Sequence, residues 1–218
     1  LPLAQAAVDV GIRIIGFDIN ERAVKQLAAG QSPISDIDDD GIAAMLAKGF
    51  EPTSDASRLD ECGTFIICVP TPLSEDQGPD LTAVKSAAAT LIPHLADGDL
   101  VVLESTTYPG TTEEVVAPIL AESGLQVPSQ VKLAFSPERV DPGNATYGIT
   151  NTPKVVGGLD EASSAAARDF YSRFCDTVVV AKGAREAELA KLLENTYRHV
   201  NIALINELAI LSHELDID

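Results

Sequence analysis

Basic residues are scarce in this chain: 15 Lys and Arg stand against 33 Asp and Glu, for a formal net charge of −18. A non-specific nucleic-acid binder displaces counterions with an excess of cations, and an anionic membrane surface attracts the same excess, so neither is expected as a partner. The acidic surplus reads as a solvated surface of the kind salt adaptation also produces, and it leaves room for a nucleotide substrate where a few cations are placed locally. Cysteine is scarce too. Cys62, Cys68 and Cys175 show neither paired metal-ligand spacing nor an even-numbered disulfide framework, which suits a reducing cytoplasm. Cys68 lies in an apolar run, where a buried, inert thiol is the usual case. No stretch reaches about 18 uninterrupted apolar residues, and the opening LPLAQAAVDVG carries no basic region, so neither a membrane span nor a signal peptide is expected. Internal repeats and low-complexity tracts are absent as well.

What is present is enough apolar surface for a core. Hydrophobic residues make up 45% and charged residues 22% of 218 positions, which excludes disorder and fits one large domain, or one domain and the start of another. Short β-branched runs alternate with amphipathic stretches. Residues 1–10 read as a helix stopped by Gly11, IRIIGFDI (12–19) as a buried strand ending in an acid, 21–30 as a helix closed by Gly30, and 32–41 as an acidic loop before a helix at 41–49. Further strands are expected at 64–72 (its end a Pro-bounded turn), 99–106, 131–137, 152–158 and 176–181, with helices at 81–95, 111–124 and 161–174. That alternation implies βαβ units, an α/β fold with a Rossmann-like, doubly wound parallel sheet. From Ala184 to about Leu215 there is neither Gly nor Pro and apolar residues recur at helical spacing. The spacing predicts one long helix. The expected organisation is therefore a dinucleotide-binding domain over 1–183 and a connecting or dimerisation helix over 184–218 that starts a central domain.

Five segments carry chemistry. Asp18 ends a strand, where an acid of a dinucleotide fold accepts hydrogen bonds from the adenosine ribose and repels the extra phosphate of NADP; the competing reading is a helix cap. CVPTPL (68–73) and LESTTYPGTT (103–112) each put a threonine, Thr71 and Thr106, in a proline-containing turn at the carboxyl end of a strand, where open α/β sheets bind ligands. FSPERVDPGN (135–144) presents Glu138 as an acid/base and Arg139 as an anion contact, against the alternative of a surface salt bridge. In LAKLLENTYRHVNIALINELA (189–209), Lys191, Asn195, Arg198 and Ile202 share one helical face. Two cations and an amide in one row suit a ligand, and Lys191 with Asn195 would support a developing oxyanion; a solvated face is the alternative. The glycine fingerprint of dinucleotide folds is missing, and its strand and turn are expected just upstream of Leu1.

Taken in order, GFDIN, CVPTPL, ESTTYPGTT, FSPERVDPG, PKVVGG and KLLENTYRHVNIALINELA resemble the UDP-glucose/GDP-mannose dehydrogenase family, and most closely its bacterial members acting on UDP-N-acetylhexosamines. The match runs from Leu1 to Asp218. The resemblance implies NAD as cofactor and two successive oxidations at the sugar's C6, through a thiohemiacetal and then a thioester on a cysteine, for surface-polysaccharide synthesis. It implies that Asp18 binds the ribose with Arg22 nearby, that Thr71 and Thr106 contact the cofactor, and that Thr106 also lies near the reacting centre. Glu138 would act in thioester hydrolysis through water, Lys191 as acid/base and oxyanion partner. Arg139, Val140, Asn195 and Arg198 would contact the UDP-sugar. A cytoplasmic homodimer paired through the long helix is expected. The family's catalytic cysteine motif matches none of Cys62, Cys68 or Cys175 and is expected beyond Asp218, so the chain reads as truncated at both ends and inactive alone. The rivals are a UDP-glucose 6-dehydrogenase, a hydroxyacid-type Rossmann dehydrogenase, and a non-catalytic nucleotide-binding module.

Overall fold

The computed structural model describes residues 1–74, 78–139 and 146–217. In chain order the elements are α1 (Pro2–Asp9), β1 (Ile14–Phe17), α2 (Glu21–Ala28), α3 (Asp39–Ala47), β2 (Phe50–Thr53), β3 (Thr64–Ile67), α4 (Thr82–Leu91), β4 (Leu100–Leu103), α5 (Ala117–Ala121), β5 (Lys132–Phe135), β6 (Lys154–Gly158), α6 (Glu161–Tyr171), β7 (Val178–Val180) and α7 (Ala184–Glu214). β1 and β2 pair in parallel, and β3-β4-β5-β6-β7 form a second ladder.

Alternation along the strands sends side chains to two helical layers. Val101, Leu103, Leu133 and Phe135 pack under α4, α5 and the start of α7, with Val84, Leu120, Ala184 and Ala187. Leu100, Val102, Ala134 and Val156 pack under α1 and α6, with Ala7, Ala167 and Tyr171. Helices on both faces are what the doubly wound reading requires. Each large apolar side chain buried this way contributes about 1.5–3 kcal/mol.

Three features depart from the sequence pattern. β2 was not expected, because Pro52 interrupts FEPT; it is tolerated because the strand pairs only with β1, at an edge. The helix expected at 111–124 is a π-helical stretch (Thr112–Val116) running into α5. Pro118 supplies no N–H for the ordinary ladder there. β6 pairs antiparallel with β5, while β7 runs parallel to β6. The parallel sheet therefore extends only through β3, β4 and β5 before its direction reverses. As a consequence, the first residue of β6, and not its last, comes to the carboxyl ends of the other strands.

β6 also lies tight against the start of α7. A Cβ on Gly157 would sit 2.1 Å from the Gly183 carbonyl oxygen, a backbone atom that has nowhere to go. Gly157→Ala is therefore expected to destabilise the fold by about 1–3 kcal/mol, read as a lower thermal midpoint; an unchanged midpoint would mean that α7 shifts freely against the sheet.

Candidate active site

Phe17, Ile67, Leu103 and Phe135 end four different strands and share one apolar cluster, so the loops that follow β1, β3, β4 and β5 open on one rim. Asp18 directly follows β1, and its backbone N–H still donates to the Thr53 carbonyl (3.0 Å). Its carboxylate Oδ1 accepts from Asn20 N–H (2.8 Å). The N-cap of α2 is Asn20, whose side chain accepts from Arg22 and Ala23. Asp18 thus shapes the turn with one oxygen, while the residue stays exposed, as does Arg22. Ile19 beside it is 85% exposed, an apolar group presented to solvent next to an acid.

The two threonine turns meet. Thr71 Oγ1 donates to the Thr106 carbonyl (2.7 Å), and Ser105 Oγ donates to the Val69 carbonyl (2.7 Å). Lys191 Nζ donates to the Glu138 backbone carbonyl, so the helix row and the loop after β5 are in contact. Burial lowers the Lys191 pKa, opposed by the charges of Glu138 and Glu194 and reinforced by Arg198 and Arg139. Lys191, Asn195, Arg198 and Ile202 line one cleft of about 430 Å³ together with Arg139 and Glu194. Arg139 forms a bidentate pair with Glu194 and donates through Nη1 to the Pro153 carbonyl (2.7 Å), so the guanidinium expected to contact an anion is engaged as a strap between loop and helix. Val140 lies outside the described residues.

Behind the rim is a polar cluster that the sequence pattern did not single out. Glu104, 6% exposed, follows β4 and pairs with Lys154 Nζ (2.7 Å), itself 4% exposed. Tyr171, fully buried, donates its hydroxyl to the same carboxylate, and the Lys154 ammonium stands 4.9 Å above the Tyr171 ring. Burial first and then Glu104 push the Tyr171 phenol well up. Glu188 was missed too: it is 0% exposed on α7 and accepts from Gly110 N–H (2.6 Å), Thr112 N–H (2.9 Å) and Thr112 Oγ1 (2.7 Å). The surrounding AREAELAK is charged at Arg185, Glu186 and Lys191 as well, so the local sequence did not mark Glu188 as the buried one.

The three cysteines are poor nucleophiles. Cys68 is an exposed residue, not the buried one expected, but its thiol turns toward Glu104 (Sγ–Oε2 3.8 Å). Burial of the sulfur and then that carboxylate push it up to about 12. Burial likewise pushes Cys175 up to about 11 and raises Cys62. A thiol so placed carries almost no thiolate at neutral pH.

Residues 1–175 match the NAD binding domain of the UDP-glucose/GDP-mannose dehydrogenase family, and residues 185–218 match that family's central domain. The chain belongs to this family. It is 35% identical over its whole length to a UDP-N-acetyl-D-mannosamine dehydrogenase of Methanococcus aeolicus, covering 49% of that protein. It is 36% identical to a UDP-N-acetyl-D-glucosamine 6-dehydrogenase of Salmonella typhi, over 94% of this chain and 48% of that one. The solved structure of a UDP-D-ManNAc dehydrogenase from Pyrococcus horikoshii superposes with a TM-score of 0.92 at 35% identity, covering 98% of this chain and 51% of that one. The chain thus spans about half the length of the relatives it matches.

Proposed function

We propose that the chain supplies the NAD-binding surface and part of the catalytic surface of a nucleotide-sugar 6-dehydrogenase acting on a UDP-N-acetylhexosamine. The observation that carries this reading is the contact of Lys191 on α7 with the Glu138 carbonyl, beside a cleft holding Asn195 and Arg198. A row of donors on one helix meets the acid-bearing loop of the sheet.

The rim fits the cofactor. An exposed carboxylate beside an exposed isoleucine, Asp18 and Ile19, offers a ribose the oxygen that Asn20 does not take and a purine an apolar face. Thr71 and Thr106 lie further along the same rim, and Arg22 sits one turn into α2. Bound there, NAD would supply the hydride acceptor for two oxidations, in which the alcohol, one water and two NAD+ become a carboxylate, two NADH and three protons. Lys191, as its ammonium, donates to the oxygen as charge develops on it, with Asn195 as second donor and Thr106 close by, while the alcohol proton passes to solvent. Glu138 orients the water of the hydrolytic step. Arg198 and Arg139 hold the nucleotide sugar, Arg139 by exchanging its Glu194 partner. None of the three cysteines is assigned as the nucleophile.

Two wider readings belong with this one. The division into a cofactor domain (1–183) and a helix leading to a central domain (184–218) is supported by the burial of Ala184, Ala187 and Glu188 at the start of α7 and not of its later residues. Ile205, Leu208, Ile210 and Leu211 are all about half exposed or more, which suits pairing of two copies through this helix in the cytoplasm. Among the described residues no helix is long and apolar enough to cross a membrane.

The decisive test is substrate. The whole protein should reduce two NAD per UDP-N-acetylhexosamine; reduction of NAD by a simple hydroxyacid and not by any UDP-sugar would overturn the reading. Asp18→Ala should weaken NAD by roughly tenfold or more, the worth of one hydrogen bond to a charged group, and should narrow the preference over NADP. Titration of both cofactors checks it, and an unchanged ratio would leave Asp18 with only its turn-forming role.

A further inference from the structure

The buried Glu104–Lys154 pair lies outside the cleft lined by Lys191, Asn195 and Arg198. An ion pair taken out of water gains little over an apolar pair of the same volume, so its presence directly behind the rim calls for another role. The antiparallel direction of β6 brings Lys154 to the loop after β5, where its Nζ lies 3.4 Å from the Pro137 carbonyl oxygen. The next carbonyl, Glu138, accepts from Lys191, and the residue after that, Arg139, is strapped to Pro153 and Glu194. Two consecutive carbonyls are thus each held by a lysine and the next residue by a carboxylate, and the lysine at Pro137 is itself fixed from below by Glu104, which Tyr171 and Cys68 orient.

We infer that Glu104 and Lys154 are positioning residues: the pair fixes the Pro137–Arg139 loop so that Glu138 faces the reacting sugar. The inference rests on the proposed dehydrogenase reading for its effect on rate, but not for its effect on the loop. Removing one partner alone would strand the other charge in the interior, so the informative variant is the double substitution Glu104→Gln with Lys154→Met. It keeps volume and the acceptor for Tyr171 while removing both charges and the contact to Pro137.

Two measurements on the whole protein test it. The first is tryptic cleavage after Arg139, which should become faster by on the order of tenfold as the strap loosens, with other sites unchanged. The second is turnover. With Glu138 displaced, kcat should fall by on the order of 10- to 100-fold, as expected when a support outside the chemistry misplaces a reacting group, while KM for NAD is unchanged. The hydrolytic step should be the slow one, so NADH should appear as a burst of two per site before a slow steady state. Lys154→Arg with Glu104 kept retains the charge pair and should keep part of the rate that the double variant loses. If cleavage and turnover both match the parent, the inference is overturned. It is equally overturned if the double variant loses protection at cleavage sites throughout the sheet, since the pair would then be a general stability element. If the parent itself fails to oxidise a UDP-sugar, the dehydrogenase reading falls while the cleavage arm still decides the positioning role.

Discussion

Lys191→Ala in the whole protein is expected to lower kcat by on the order of 100-fold or more, with KM for the sugar nearly unchanged. A half-buried ammonium already placed against the Glu138 carbonyl does not need to be brought in during reaction, and a preorganised donor of this kind is worth roughly 10²–10³ in rate. The split follows from its role: a contact realised only as charge develops affects turnover, not ground-state binding. Arg198→Ala should show the opposite split, a raised KM with little change in kcat. The pH profile adds a second readout. Because burial lowers the Lys191 pKa, the protonated donor is lost on the alkaline side at a lower pH than an ordinary lysine would show. Turnover should fall as pH rises through that value, and the limb should vanish in Lys191→Ala. If Lys191→Ala leaves kcat and this limb intact, Lys191 is a strut between α7 and the loop.

The parts of this site that were legible in sequence are those with a local signature. Residues 184–215 lack Gly and Pro, and α7 runs over nearly that span. Lys191, Asn195, Arg198 and Ile202 follow helical spacing and line one cleft. Thr71, between Pro70 and Pro72, and Thr106, three residues before Pro109, follow strand runs, and their turns are hydrogen-bonded. The illegible parts are non-local. The direction of β6 relative to β5 is set by packing across the sheet, and TPKVVGG reads the same whichever way the strand runs. For that reason Lys154 looked like a strand residue only. Glu104 looked like the polar end of an apolar run, and its partner lies 50 positions away at Lys154. Of the Asp18 alternatives, the cap falls to Asn20, whose side chain accepts from Arg22 and Ala23, while Asp18 shapes the preceding turn with one oxygen and remains exposed. Arg139 shows the reverse: a surface salt bridge and an anion contact were set as rivals, and the structure shows the guanidinium engaged with Glu194, a partner that an anion would have to displace.

Glu188 predicts the largest loss of stability. Its carboxylate is wholly buried and satisfies three donors on the loop that leads out of β4: the Gly110 N–H, the Thr112 N–H and the Thr112 hydroxyl. Gly110 is required for this geometry, because its φ of +104° disfavours any side chain and a Cβ there would lie 3.0 Å from a Glu114 carboxylate oxygen. Glu188→Ala leaves two backbone N–H groups buried without acceptors and adds a cavity, for a loss of about 3–5 kcal/mol. At roughly 2–4 °C per kcal/mol for a domain of this size, the thermal midpoint should drop by on the order of 10 °C. Glu188→Gln retains an acceptor for Thr112 but turns an amide N–H₂ toward the Gly110 N–H, so its loss should be smaller, about 1–3 kcal/mol. Thr112→Val removes only a hydroxyl donor and should cost least. That ranking separates the clamp from simple volume loss, since Gln matches Glu in size and should still destabilise. If Glu188→Gln unfolds at the parent's midpoint, the three donors find other acceptors and the clamp reading fails. Lys191 lies one turn further along α7, and Thr106 lies on the clamped loop. The carboxylate that stabilises the fold therefore also fixes how the helix row stands against the rim.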